Sequence, residues 1–278
     1  MKKNEIKKKI LVVKNIKRIT KVVEMITFSK INKIRKKISN YSVYVKYLKN
    51  IIDNFYRIRT MRFHYYFFNK SIKRIAILFF STDQNMVGNI NNDICLKVLN
   101  KIKIFNKIKT EVILFIYGKK AYLFFKKNTE INVKSIFLIN KIDKVKLNIL
   151  SNKIINIYNS KKINRFYVIN TSFNRKLKIF KVLPYTFNKK LGLLKLWDYI
   201  YEIEEIRALN MFFLRYLKYF LYKKYLQNSL NIQLYKVNIM KFASENSNKL
   251  IKNLNIDYNK ARQTSVTQEI SEIISSNK

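Results

Sequence analysis

The chain holds one histidine, His64, and one cysteine, Cys95. A Ser-His-Asp triad would have to use His64, and no GxSxG motif accompanies it. His64 sits in the aromatic run MRFHYYFF (61–68). A packing or surface role accounts for it there, because a catalytic site needs geometry as well as residue type. A single cysteine excludes an intramolecular disulfide and a cysteine metal cluster. Cys95, next to Leu96 on an apolar helical face, reads as a small buried hydrophobe. The stretch STDQNMVGNIN (81–91) follows an apolar run, as a phosphate loop would. It lacks a GxxxxGKS or GxxxxGKT pattern and has one glycine, so backbone amides cannot easily cradle phosphate. Glu202, Glu204 and Glu205 are clustered where a long helix begins, and carboxylates there oppose the helix macrodipole. No active site, metal or cofactor is expected of this chain alone.

The elements around these residues are more informative. No Gly or Pro occurs before Gly88, so the first stretch is free of helix breakers. Val12, Ile16, Ile19, Val23 and Ile26 recur at steps of four and three. A second series, Ile31, Ile34, Ile38, Tyr41, Val45, Leu48 and Ile52, follows out of phase. Such spacing is the seam of a coiled coil, and the step from Ile26 to Ile31 predicts a break in register. One helix of about fifty residues would be roughly 75 Å long, more than a compact domain requires. From about Glu202 to Ile274 Gly and Pro are again absent. Apolar positions there recur at helical spacing: Ile206, Phe213, Leu217 and Phe220, then Leu230, Leu234 and Val237, then Leu250, Leu254 and Tyr258.

Between these helices lie short apolar runs, IAILFF (75–80), EVILFIYG (111–118), RFYVINTSF (165–173) and LKIFKVLP (177–184). Continuous rather than alternating apolarity predicts strands buried on both faces, as in a parallel sheet. The stretches 91–107 and 145–160 fit intervening helices, and Pro184 and Gly192 punctuate the return to the last helix. The expected fold class is therefore α/β with long helices. The N- and C-terminal helices form an antiparallel coiled coil, and a Rossmann-like α/β domain lies between them. The expected segments are 1–58, 59–200 and 201–278. No apolar run approaches the roughly 18 residues of a membrane span. The apolar block Ile10–Val13 is too short for a secretory signal, so a cytoplasmic chain is expected.

The formal net charge is +42. Clustered Lys and Arg neutralise phosphates, so one reading is a basic coiled-coil protein that binds nucleic acid or an anionic membrane. Composition offers another origin for the charge. Ile, Lys, Asn, Phe and Tyr crowd the chain while Gly numbers three and Pro one, as drift toward AT-rich codons would produce. Net charge informs on solubility and non-specific binding rather than fold. Positions that resist the bias then carry more information, and the tail YNKARQTSVTQEISEII (258–274) resists it. From Asp257 onward Asp257, Glu269 and Glu272 balance Lys260, Arg262 and Lys278, and large aromatics stop at Tyr258.

Both ends of the chain carry a resemblance. KNIKRITKVVEMITFSKI (14–31) and YNKARQTSVTQEISEII resemble the terminal signatures of the gamma subunit of rotary (F-type) ATP synthases. STDQNMVGNIN and LWDYIYE (196–202) are similar to two internal motifs of the same family, in the same order. Gln84 stands where the family has arginine, Asn85 and Asn89 where it has glycines, and Val87 where it has cysteine. Asn tolerates positive φ better than most non-glycine residues, which leaves the turn open at Asn85 and Asn89.

The resemblance implies the central rotor shaft of the synthase, coupling ion (proton) transport through a membrane ring to ATP synthesis. Its terminal helices would turn inside the sleeve of alpha and beta subunits. Its α/β body would sit on the epsilon subunit and the ring of c subunits, peripheral to the cytoplasmic face of a bacterial cell membrane. Arg262 and Gln263 match positions that hydrogen-bond an acidic loop of the beta subunit. Met25, Ala261, Ser265, Thr267 and Glu269 match the shaft within the sleeve. Trp197, Tyr199, Tyr201 and Glu202 match the foot facing epsilon and the c-ring. No specific nucleic acid partner is implied. A shaft in a narrow sleeve must be slim and must not stick, which accounts for a tail of small, charge-balanced side chains.

Overall fold

A computed structural model describes residues 3–57, 60–68, 73–107, 110–128, 133–139, 144–172, 176–187 and 204–276. Two long helices, α1 (Lys3–Arg57) and α5 (Glu205–Ser276), flank an α/β segment. That segment runs β1 (Arg74–Phe80), α2 (Ile90–Lys107), β2 (Glu111–Tyr117), α3 (Lys119–Lys127), β3 (Val133–Ile139), α4 (Lys144–Asn159), β4 (Arg165–Thr171) and β5 (Leu177–Leu183). The chain divides into two compact units. One comprises Met1–Asn32 with Gln233–Lys278, and the other Lys33–Ile232.

The second unit is built on a five-stranded sheet of order β3-β2-β1-β4-β5. The first four strands are parallel neighbours, with Arg74 opposite Glu111 and Ile75 opposite Arg165. The order reverses beside β1, as in doubly wound folds. Successive side chains of β1 point to opposite faces. Ala76, Leu78 and Phe80 join the core shared with α1, α4 and α5. On the other face, Phe79 meets Phe125 of α3 edge to face at 6.4 Å. Every residue from Ile75 to Phe80 is buried, which is why β1 reads as an unbroken apolar run.

LKIFKVLP does not behave as the apolar-run reading expects. β5 is antiparallel to β4 and lies at the sheet edge, half of its length accessible. Ser172 N donates to Lys176 O at 2.9 Å. A connection that short closes a hairpin and cannot make the crossover a parallel neighbour needs. Two elements have no counterpart in the sequence reading. β3 is a half-buried edge strand, and α3 is nine residues long with no side-chain cap from its N-cap residue, Gly118.

Within this unit, α1 and α5 pack antiparallel through aromatic rings. Tyr41 meets Tyr222 at 4.7 Å, Tyr44 meets Tyr219 at 4.5 Å, and Phe55 meets Phe212 at 6.2 Å. The buried line Val45, Leu48, Ile52 and Phe55 continues the second apolar series of the sequence.

The first series is corrected. Val12, Ile16, Ile19 and Ile26 are exposed, and the buried line of α1 in the first unit runs through Ile6, Ile10, Thr20, Thr27 and Ile31. No break in register separates Thr27 from Ile31, four residues apart. The periodicity misleads because two seam positions are threonines. Each hydroxyl donates to its own helix, Thr20 Oγ1 to Lys17 O at 2.8 Å and Thr27 Oγ1 to Val23 O at 2.6 Å. A hydroxyl bonded this way is buried without an unpaired donor.

Scarcity of glycine shows at the end of α4. Lys162 N donates to Ile157 O and Lys161 N to Tyr158 O, both at 3.1 Å. This is a Schellman closure whose left-handed position is normally glycine. Here Lys161 occupies it, at φ 55°. Left-handed backbone costs a residue with a Cβ roughly 1–2 kcal/mol. Lys161→Gly is therefore expected to stabilise the chain by about 1 kcal/mol, read as a higher urea midpoint at unchanged slope.

Candidate functional site

The first unit contains the tail singled out by its composition. Antiparallel pairing places Lys8, Lys9, Val12 and Val13 of α1 beside Leu250 and Leu254 of α5, around a shallow groove of about 400 Å³. On α5 the inward line is Gln233, Val237, Met240 and Ser247, all buried, then the half-buried Ile251, Leu254, Tyr258, Ala261 and Ser265. Ala261 and Ser265 thus lie on the line that faces α1 farther down, at the same three- and four-residue steps. Small side chains there keep α5 slim as its pairing runs out.

Beyond them the helix is bare. Arg262, Gln263, Thr267 and Glu269 are exposed. Their environment is local: Thr267 Oγ1 donates to Gln263 O at 2.9 Å, and Ser265 Oγ donates to Glu269 Oε1 at 3.0 Å. The side chains of Arg262 and Gln263 make no hydrogen bond among the described residues, so their donors are available. Met25 is 60% exposed on α1. The pairing of 8–13 with 250–254 puts it beside the Val237–Met240 stretch, roughly 33 Å along the helix from Arg262. The structure does not bring these two together. Trp197, Tyr199, Tyr201 and Glu202 lie outside the described residues, as does Gly192.

The seam reading missed an outward apolar stripe on the same unit. Leu11, Val12, Ile16, Ile19, Val22 and Ile26 of α1 are exposed, as are Val266, Ile270, Ile273 and Ile274 of α5. Helices that are apolar inside and outside the pair match buried elements rather than solvated ones. The signal was legible as a 4-3 series. Only the assignment of its face was wrong.

The second unit has a crevice of about 310 Å³ at the carboxyl ends of β1 and β2, lined by Ser81 to Gln84, Tyr117, Tyr225 and Asn228. Doubly wound sheets bind ligands at this switch point. Here the chain's own side chains occupy the ligand-binding features. Asp83 accepts from Lys119 N at 2.9 Å and Lys120 N at 3.0 Å, taking the start of α3, where an anion would bind. Gly118 lets that approach happen: at φ 106°, a Cβ would stand 2.4 Å from Ser81 Oγ. Asn228 of α5, 2% exposed, enters from the other side and donates to Ser81 O. Positive φ in the 81–91 loop falls on Met86 and Gly88, at 60° and 58°. Asn85 and Asn89 do not adopt it. Asn85 Oδ1 instead accepts from Lys120 Nζ at 3.2 Å.

The remaining chemistry-bearing groups are structural. His64 packs against Tyr65, its ring centroid 4.0 Å away, and burial pushes its pKa down to about 4. Cys95 is buried, and burial pushes its thiol up to about 12. Glu204 pairs with Arg207 at 3.0 Å and Glu205 lies in the first turn of α5, as the macrodipole reading expects.

These features coincide with a known family. A family model described as ATP synthase matches residues 2–278. The ATP synthase gamma chain of Buchnera aphidicola subsp. Melaphis rhois is 33% identical, covering 82% of this chain and 81% of that one. The ATP synthase gamma chain of Stenotrophomonas maltophilia strain K279a is 31% identical over 74% of this chain and 73% of its own. This chain belongs to the ATP synthase gamma chain family.

Solved structures agree on the fold. A chain from the Euglena gracilis mitochondrial ATP synthase OSCP/F1/c-ring in rotational state 3 matches with TM-score 0.60 at 15% identity, covering 99% of this chain and 93% of that one. A chain from the Tetrahymena thermophila mitochondrial ATP synthase central stalk and c-ring matches with TM-score 0.57 at 17% identity, over 81% and 99%. Identities this low carry the fold and nothing finer.

Among the described residues one cation is buried. Lys224 is 7% exposed, its Nζ 3.3 Å from the Phe180 ring centroid and 3.3 Å from Gln227 Oε1. Burial first, then Lys223 and Lys178, push its pKa down to about 8. The unfolded chain therefore binds more protons between about pH 8 and the ordinary lysine value of 10.5, and folding stability rises with pH there. Burial of Tyr66, Tyr158, Tyr185 and Tyr216 raises their pKa values, so stability falls above about pH 10 as the unfolded phenols ionise. Lys224→Met is expected to be more stable than the parent at pH 7, with the gap closing between about pH 8 and 10. Urea titrations of both proteins across that range check the sign.

Proposed function

We propose that this chain is the central rotor shaft of a membrane ATP synthase. It performs no bond chemistry. It couples ion flow through a membrane ring to the conformational cycle of catalytic subunits. The observation that carries this reading is the first unit's double apolar surface, one line closing α1 against α5 and a second facing outward. The outward line needs a sleeve, and the F1 and c-ring assembly that holds the matching Euglena gracilis chain supports that reading. An asymmetric rigid element turning in that sleeve favours a different conformation of each catalytic subunit, so binding energy differs among states.

In functional terms the chain divides into shaft segments 1–58 and 201–278 and a body, 59–200. The sleeve is formed by alpha and beta subunits, with Met25, Ala261, Ser265, Thr267 and Glu269 inside it. The foot, Trp197, Tyr199, Tyr201 and Glu202 where body meets shaft, rests on epsilon and the c-ring. The assembly sits on the cytoplasmic face of a bacterial cell membrane, with this chain peripheral through its partners. The rival reading, a basic coiled coil for nucleic acid or anionic lipid, does not account for a terminal segment that is charge-balanced and apolar-striped. It requires tight, steeply salt-dependent binding to DNA or anionic vesicles as the principal activity.

Arg262 and Gln263 are the contacts to a carboxylate loop of the beta subunit. Their exposure at the bare end of α5 supports that role, since the donors are not engaged within the chain. A hydrogen bond to a charged partner contributes roughly 1.5–3 kcal/mol. Arg262→Ala is expected to reduce ATP-driven ion pumping or complex assembly while leaving the thermal stability of the chain unchanged. Arg262→Lys should restore part of the loss, because an ammonium lacks the planar fork of guanidinium. Pumping assays on membranes carrying each variant, with complex abundance measured in parallel, decide it. Normal pumping and full assembly of Arg262→Ala would remove the residue from the interface.

A further inference from the structure

The second unit holds α5 in two different ways. Most of the contact is apolar and aromatic, through Leu209, Phe213, Leu217 and Leu221. At the carboxyl edge of the sheet the grip changes to hydrogen bonds. Thr171 Oγ1 donates to Asn228 Oδ1 at 2.8 Å, and Asn228 Nδ2 donates to Ser81 O at 3.4 Å. Asn231 Nδ2 donates to Thr171 O, and Asn170 Nδ2 to Lys224 O at 3.0 Å. Asn170 is itself fixed by accepting from Thr171 N at 2.9 Å, and Ser81 N is fixed by donating to Tyr117 O at 3.0 Å. Asn228, Thr171, Asn170 and Ser81 are all buried. Strand β4, together with Ser81 just after β1, thereby holds two successive turns of α5, just before the unit ends at Ile232.

We propose that this latch fixes the rotational register of α5 on the sheet, and that Asn228 and Asn231 are positioning residues for torque transfer. The proposal rests on the rotor reading. Apolar contact resists separation but is non-directional, so it opposes rotation of a helix about its axis only through shape. Hydrogen bonds are directional and short-ranged, and a buried donor or acceptor that loses its partner pays its full desolvation penalty. A latch made of them has one low-energy angle. Its place near the end of the unit is where a turning force on the sheet must become rotation of the helix.

The test uses the whole complex, reconstituted in vesicles, and reads ion uptake and ATP hydrolysis together. For Asn228→Leu, hydrolysis is expected within about twofold of the parent, with ions pumped per ATP reduced at least threefold. Asn231→Ala breaks one bond at a half-buried position, so it keeps the test open if Asn228→Leu fails to assemble, and a smaller loss of the same ratio is expected. Asn228→Gln, which keeps an amide, should recover part of the ratio. A merely structural latch would lower pumping and hydrolysis in step, through less complex. That result, or an unchanged ratio in an assembled Asn231→Ala or Asn228→Leu complex, overturns the proposal. The rotor reading fails separately, if vesicles whose complex lacks this chain pump as well as those that contain it.

Discussion

In both compact units a length of α1 lies antiparallel to a length of α5, and the seam between them organises the rest. Neither helix could persist alone at such length on propensity, because long helices in water depend on packing of one face. In the first unit the buried Ile6, Ile10 and Ile31 of α1 and Val237 and Met240 of α5 supply that packing. In the second it does so with Ile52 and Phe55 against Phe213 and Leu217, and there the sheet and α4 thicken it into a core. Because the partners come from opposite ends of the chain, the α/β segment must return the chain to its starting side. That topological demand is met by a doubly wound sheet with its antiparallel strand at one edge.

Two routes bond polar groups inside these cores. Thr20, Thr27 and Ser247 bond back to their own helices, which hides a polar residue in a seam with no partner from outside. Asn170, Thr171 and Asn228 bond across elements instead, and so join a helix to a sheet at a defined angle. The first route preserves packing and specifies little. The second specifies geometry, because its bonds are lost if either element turns.

A lysine-rich, glycine-poor composition leaves visible marks on the fold. Lys161 and Met86 hold left-handed backbone that glycine would adopt at no cost. Lys224 is buried against aromatic rings, with its charge opposed by desolvation. Each is a tolerable local penalty in a chain whose cores are large. The tail shows the limit of that tolerance. After Tyr258 neither lysine excess nor large aromatics appear, in keeping with a surface that must turn against a neighbour without adhering to it.

Much of this was legible in the residues. The lengths of both helices, strands β1, β2, β4 and β5, and helices α2 and α4 all follow from unbroken apolar runs and from where Gly and Pro fall. The terminal motifs, set against a strong compositional background, pointed to the family. Other features were not legible, for related reasons. The face of the first apolar series depends on what lies opposite it, and two threonines stand where periodicity expects apolar residues. The direction of β5 is decided by a hairpin too short for a crossover, whereas apolarity is the same for either direction. Helix α3 takes its cap from Asp83, 36 residues earlier, and the latch uses asparagines in a chain where asparagine is everywhere. Sequence alone determined which segments are apolar enough to bury and how long they are. Tertiary structure decided which side of each is buried and which polar groups meet, because those depend on contacts between residues far apart in the chain.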